Sequence, residues 1–154
     1  MPAPLQLCVR RAPAAAASAY ATTVRLRMPS EVGCIEQAVS LVTRHCLSGT
    51  SAADRLRFRL QVVLAEALAN AVMRGNREDP AKWVHVEAEL CPECISLSVT
   101  DEGDGFDPAE VPEPDRPERV FESCGRGLFL IRKLVDDVRF NEQGNSICMT
   151  LRRQ

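Results

Sequence analysis

The sequence predicts an α/β two-layer sandwich: a mostly antiparallel mixed sheet with helices on one face. Two observations carry that prediction. Four segments alternate apolar and polar residues with period two, so each strand has one apolar and one more polar side. That is the mark of a largely antiparallel sheet covered on one side only, because a sheet buried on both faces reads as continuous apolar runs. Three further segments carry helical stripes, and these are the cover.

The first strand is "TVRLRM", where Val24, Leu26 and Met28 oppose Thr23, Arg25 and Arg27. In "WVHVEAEL", Val84, Val86, Ala88 and Leu90 share a side. "ISLSVT" does the same with Ile95, Leu97 and Val99, and "SICMTLR" with Ile147, Met149 and Leu151. Residues 137–142, "DVRFNE", are a candidate fifth strand. A first helix is expected over 31–47, with Val32, Ile35, Val39, Val42 and Cys46 as its stripe and Ser30 as its N-cap. A second, long and apolar, runs from Asp54 to Met73 and stops near Gly75. A third carries Leu128, Ile131, Leu134 and Val135.

The chain has 154 residues, 45% of them hydrophobic and 26% charged, which suits one soluble domain with a real core. A formal net charge of −2 implies no general attraction to nucleic acid or to a membrane surface. The longest apolar run falls far short of the ~20 residues of a membrane span. Residues 1–21, with the alanine-rich "RRAPAAAASAYA", are expected to be a disordered or frayed arm, leaving 22–154 as a single domain. The seven cysteines are odd in number and irregular in spacing, which reads as reduced thiols in a cytoplasm. Cys91 and Cys94 form one "CPEC", read as a tight hairpin turn, with a redox or metal role as the alternative. Residues 107–123, with four prolines and eight charges, fit neither a central strand nor a regular helix, and a loop of that length reads as disordered or as a functional lid.

Three features carry possible chemistry. Glu66 and Asn70 lie four residues apart in the most apolar helix, so they project from one face. They are either a satisfied polar pair or a working one, in which Asn70 supplies an oxygen to Mg²⁺ and Glu66 acts as a general base. "TDEGDGFDP" ends a strand on Asp101 and then places Gly103 and Gly105, which is a plain turn or a backbone that passes close to something other than protein. "CGRGLFLI" puts Gly125 and Gly127 just before the third helix, which is an ordinary turn or a phosphate seat at a helix N-terminus.

In this order the pieces resemble the GHKL (Bergerat-fold) ATPases over roughly residues 22–152. Within them, the look is that of anti-sigma-factor serine kinases of the RsbW and SpoIIAB kind. The resemblance implies ATP and Mg²⁺ as cofactors, with Asn70 at the metal and Glu66 taking the acceptor's proton. It implies that Asp101 accepts a hydrogen bond from the adenine amino group and that Gly103 and Gly105 pass the base and ribose. It makes residues 106–124 the ATP lid, puts Gly125, Arg126, Gly127 and Leu128 at the phosphates, and puts Ser146 where these kinases often carry a threonine near the base. The chain departs from the pattern in three places. Ser123 stands where several members have an arginine, leaving Arg126 or Arg119 to supply that charge. Arg74 replaces a frequent histidine, and "GNS" replaces "GTT" near the C-terminus. Neither His45 nor His85 is followed by the acidic residue typical of a phospho-accepting histidine. The implied function is a cytoplasmic anti-sigma factor that binds a sigma factor and phosphorylates a STAS-domain anti-anti-sigma factor, acting as a homodimer without nucleic acid or membrane. The alternative is a nucleotide-dependent binding module without kinase turnover.

Overall fold

The computed structural model describes residues 4–13, 20–48, 54–105 and 123–153. The lid expected at 106–124, and Arg119 within it, therefore lie almost wholly outside the described residues. Six strands form one sheet: β1 (Gln6–Pro13), β2 (Tyr20–Pro29), β3 (Trp83–Leu90), β4 (Cys94–Thr100), β5 (Asp137–Phe140) and β6 (Ser146–Arg152). Among the described residues their order is β1-β2-β3-β4-β6-β5, and every pairing is antiparallel. Three helices, α1 (Ile35–Leu47), α2 (Asp54–Asn70) and α3 (Ser123–Leu134), complete the sandwich.

The register explains the one-sided cover. Val24 pairs with Ala88, Val86 with Val99 and Leu97 with Met149, so the apolar set of each strand falls on one face. A slip of one residue would turn that set to water. On the helix side, α2 is the central element and packs against both α1 and α3. It buries Leu56, Leu60, Val63, Leu64, Ala67 and Leu68. Ile131 is the buried anchor of α3, with Leu128, Leu134 and Val135 packed around it. Arg59 fastens the far end of this pair: it donates to the Leu134 carbonyl (2.7 Å), at the last residue of α3, and pairs with Asp136 (3.0 Å).

Three expectations are corrected. Residues 6–13 are not a disordered arm. They form the edge strand β1, held by a ladder running from Gln6 opposite Arg27 to Pro13 opposite Tyr20, in which Leu7 and Val9 continue the apolar register of Leu26 and Val24. Ser30 does not cap the first helix, which opens instead with a 3₁₀ turn, Val32–Cys34, that leaves Val32 exposed. Ser30 is buried, and its hydroxyl donates to the Lys82 carbonyl (2.9 Å). Finally, the third helix begins at Ser123, so Gly125 and Gly127 lie inside its first turns rather than before it. The "CPEC" segment is the β3–β4 turn, closed by the Cys91 N–H donating to the Cys94 carbonyl (3.0 Å).

Candidate functional site

Two glycine contacts bring the sequence-singled residues together. At Gly127 a β-carbon would lie 2.9 Å from Glu66 Oε2 and 3.4 Å from the Asn70 amide nitrogen. The carboxylate and the amide of α2 thus converge on bare backbone of α3. A glycine inside a helix costs about 1 kcal/mol relative to alanine, and here no side chain fits without moving Glu66. Only the first few N–H groups of a helix lack an intrahelical acceptor. With α3 starting at Ser123, Gly125 is among them and Gly127 is not.

The second contact links α2 to the strand-end loop. After Asn70 the helix widens into a π turn, Ala71–Gly75, a distortion that recurs at functional sites. It carries Gly75 against Asp101. A β-carbon at Gly75 would overlap the Asp101 carboxylate, and one at Gly103 would overlap the Gly75 carbonyl. Asp101 Oδ1 accepts the Gly103 N–H (2.8 Å), folding the loop back on its own carboxylate. Gly105 has φ +82°, and its missing β-carbon makes room for the Gln143 carbonyl.

Asn76, next after Gly75, was invisible as a site residue in the sequence. It is 1% exposed. Its amide donates to Ser30 Oγ (2.7 Å) and to the Trp83 carbonyl (2.9 Å), and its oxygen accepts the Glu102 N–H (2.7 Å). One buried side chain therefore ties the ends of β2, β3 and β4 to the end of α2. On the other flank, the Asp101 N–H donates to the Asn145 carbonyl (2.9 Å), and the Asn145 amide donates back to the Asp101 carbonyl (3.1 Å). Asn141 Oδ1 collects the Gly144, Asn145 and Ser146 N–H groups, fixing that turn. Ser146 lies opposite Thr100, the residue before Asp101, and their hydroxyls are 2.7 Å apart. The only sequence signal for this scaffold was a run of Asn and Gly beside strand ends, which reads as turns.

The electrostatics separate two adjacent carboxylates. Burial pushes the Asp101 carboxyl above its ordinary value, against the pull of the Gly103 N–H and the Lys82 charge. Glu102 is held below its ordinary value by His85 Nε2 (3.1 Å) and the Trp83 N–H (2.9 Å). Asp101 is thus the half-buried acceptor facing Gly75, while Glu102 is already engaged. Arg126 is exposed on α3, and Leu128 is half-buried beside the core. A cavity of about 630 Å³ lined by Cys8, Arg25, His85 and Glu87 lies on the uncovered sheet face and includes neither Glu66 nor Asp101.

The donor set suits a magnesium–phosphate group. Among the described residues no cluster of three His, Cys, Asp or Glu side chains stands ready to hold a metal ion. Asn70 brings its side-chain amide, and Glu66 its carboxylate, to one spot beside the Gly127 backbone. Mg²⁺ takes this kind of sparse protein ligation when phosphates complete its shell.

A one-sided antiparallel sheet, a polar pair on the central helix and a glycine-lined strand end define the class of nucleotide-binding ATPase domains. The profile of the histidine kinase-like ATPase domain matches residues 28–151, and the chain belongs to that family. It is 30% identical over 114 residues to the serine-protein kinase RsbW of Oceanobacillus iheyensis, covering 66% of this chain and 71% of the relative. It is 34% identical over 91 residues to the anti-sigma F factor of Heyndrickxia coagulans, covering 56% and 60%. With RsbW of Bacillus subtilis the figures are 31% over 98 residues, 59% and 61%. The match thus spans less than two thirds of the latter two relatives. The chain is a GHKL ATPase of the RsbW and SpoIIAB type.

Proposed function

We propose that this chain binds Mg-ATP at the joined ends of α2, β4 and α3, sequesters a sigma factor, and phosphorylates a serine or threonine of a STAS-domain antagonist. The observation that carries the reading is the convergence of Glu66 and Asn70 on Gly127, with Asp101 locked one π turn away. The names of the relatives, serine-protein kinase and anti-sigma factor, support the same direction.

In this reading Asp101 accepts the adenine amino N–H, and the Asn76 and Asn145 contacts keep its loop from collapsing when the site is empty. Asn70 contributes an oxygen to Mg²⁺, which when bound neutralises phosphate charge. Glu66 accepts the proton of the attacking hydroxyl as the new P–O bond forms and the bond from the γ-phosphorus to the ADP oxygen breaks. Gly127 keeps the approach to Glu66 clear. Arg126 supplies positive charge to the terminal phosphate in place of the family arginine where Ser123 stands. Preorganised charge of this kind is the main catalytic resource in phosphoryl transfer.

The test is transfer of label from γ-³²P-ATP to a purified STAS-domain protein of the same organism. Glu66→Gln keeps the shape and removes the base, so transfer should fall by ~10²-fold or more while ADP still binds. Transfer at the wild-type rate would make Glu66 a structural carboxylate. Sigma-factor binding and ATP binding with no transfer by the wild-type chain would make the protein a nucleotide-dependent binding module instead.

A further inference from the structure

A line of apolar residues runs along the side of α2 that faces away from its buried set. Opposite its buried face run Phe58, Val62, Ala65, Ala69 and, on the π turn, Met73, spaced four, three, four and four residues apart. Phe58 is 60% exposed and Met73 53% exposed, with Val62, Ala65 and Ala69 half-buried between them. Scattered exposed apolar residues mean little, but a contiguous apolar stripe marks an interaction site. Phe58 and Met73 stand as two bulky posts roughly 22 Å apart at 1.5 Å per residue. The small Ala65 and Ala69 lie between them, which is the profile of a seat for another helix.

The charge exposed on the helical layer selects the occupant. The exposed charged residues of the three helices are Arg44 on α1, Arg55 and Arg57 on α2, and Arg126 and Lys133 on α3, against Glu36 and Asp54 alone. The whole chain has 19 basic and 21 acidic residues, so this basic excess is local. Glu66 follows Ala65 directly and meets α3 at Gly127, so the stripe borders the helix face that carries the carboxylate. We propose that the outer face of α2 docks an acidic amphipathic helix of the protein that receives the phosphoryl group. The stripe buries the apolar side of that helix, the exposed arginines and Lys133 of the helical layer meet its acidic flanks, and its acceptor hydroxyl is delivered beside Glu66. This inference rests on the kinase reading above, and the experiment separates the two.

The probe is a fluorescein-labelled, 18-residue peptide with leucines at helical i, i+3, i+4 and i+7 spacing and glutamates on the flanks. Fluorescence anisotropy with the full chain should show binding that weakens at least tenfold in the F58E/M73E double variant. Calorimetry of the single F58E variant, which leaves the π turn untouched, should find ADP affinity unchanged. Arg55→Glu with Lys133→Glu, which leaves the apolar stripe intact, should weaken the peptide similarly and lose its dependence on salt. In the label-transfer assay, the single F58E variant should raise KM for the STAS-domain protein several-fold with KM for ATP unchanged. Equal peptide affinity in wild type and both variants overturns the proposal. So does stripe-dependent binding to phosphatidylglycerol vesicles without peptide binding, or a wild-type dimer that F58E/M73E converts to monomer. If the wild type binds peptide through the stripe yet transfers no label, the kinase reading fails while the docking face stands.

Discussion

Gly75→Ala is the sharpest perturbation of the site, because the methyl has one place to go and the Asp101 carboxylate is in it. A β-carbon there overlaps Oδ2 and Cγ of Asp101 and lies 2.8 Å from Oδ1. The positive-φ glycines of the described chain are Gly105 and Gly144, so Gly75 needs no left-handed backbone and the cost is collision alone. Overpacking of this kind costs about 1–3 kcal/mol. At ~2–4 °C per kcal/mol for a chain of this size, Tm should fall by roughly 2–12 °C. In the proposed adenine contact the displaced carboxylate would forfeit a charge-assisted hydrogen bond worth ~1.5–3 kcal/mol, which is about a 10- to 150-fold loss of ADP affinity. Thermal melts and isothermal calorimetry read both numbers. Unchanged Tm together with wild-type ADP affinity would show that Asp101 and Gly75 are not locked together and that the loop is free to carry the base elsewhere.

Asp101→Asn should act in opposite directions on stability and binding. Its folded pKa is raised, so its favourable contribution is complete only below the unfolded value and is lost as pH rises through the folded one. At pH 7 the ligand-free Asn variant should therefore melt above wild type, with the gap closing as pH falls through the raised pKa toward ~3.9, while ADP binding is weakened. A variant that melts below wild type at pH 7 would refute this. Asn76→Ala strips partners from Ser30, the Trp83 carbonyl and the Glu102 N–H, and should cost at least ~2 kcal/mol in urea unfolding; a cost within error of zero would mean water replaces the amide. Arg126→Ala should slow phosphoryl transfer more than it weakens ADP, which lacks the terminal phosphate, and Arg119→Ala is the comparison; equal small effects would remove both from that role.

Much of the architecture could be read from the residues because burial imposes period. β3 and β6 coincide with the alternating segments "WVHVEAEL" and "SICMTLR", and Ile131 sits where the third stripe placed it. What escaped was whatever depends on partners rather than period. β1 was hidden because its short alternation, Leu7 and Val9, precedes an alanine-rich run, and its order comes from the ladder with β2. Ser30 looked like a cap because hydroxyls favour helix starts, yet Asn76, 46 residues away, claims it. The candidate site could be listed as spaced residues, Glu66, Asn70, Asp101 and the glycines, but their joint could not be read. The π turn that swings Gly75 onto Asp101 leaves no mark in hydropathy. The role of Gly75 follows only from the carboxylate it faces.

The role proposed for Asp101 is tested most directly by the identity of the base that the site prefers. Competition between ATP and GTP for the wild-type chain, measured with a fluorescent ADP analogue in the presence of Mg²⁺, isolates it. An adenine presents an amino donor to the carboxylate, whereas guanine presents a carbonyl acceptor. The loss of one charge-assisted hydrogen bond, ~1.5–3 kcal/mol, predicts that ATP displaces the analogue at concentrations about 10- to 150-fold below those of GTP, and that Asp101→Ala removes the preference. Equal displacement by ATP and GTP in the wild type would contradict the assignment of this end of the sheet as an adenine site.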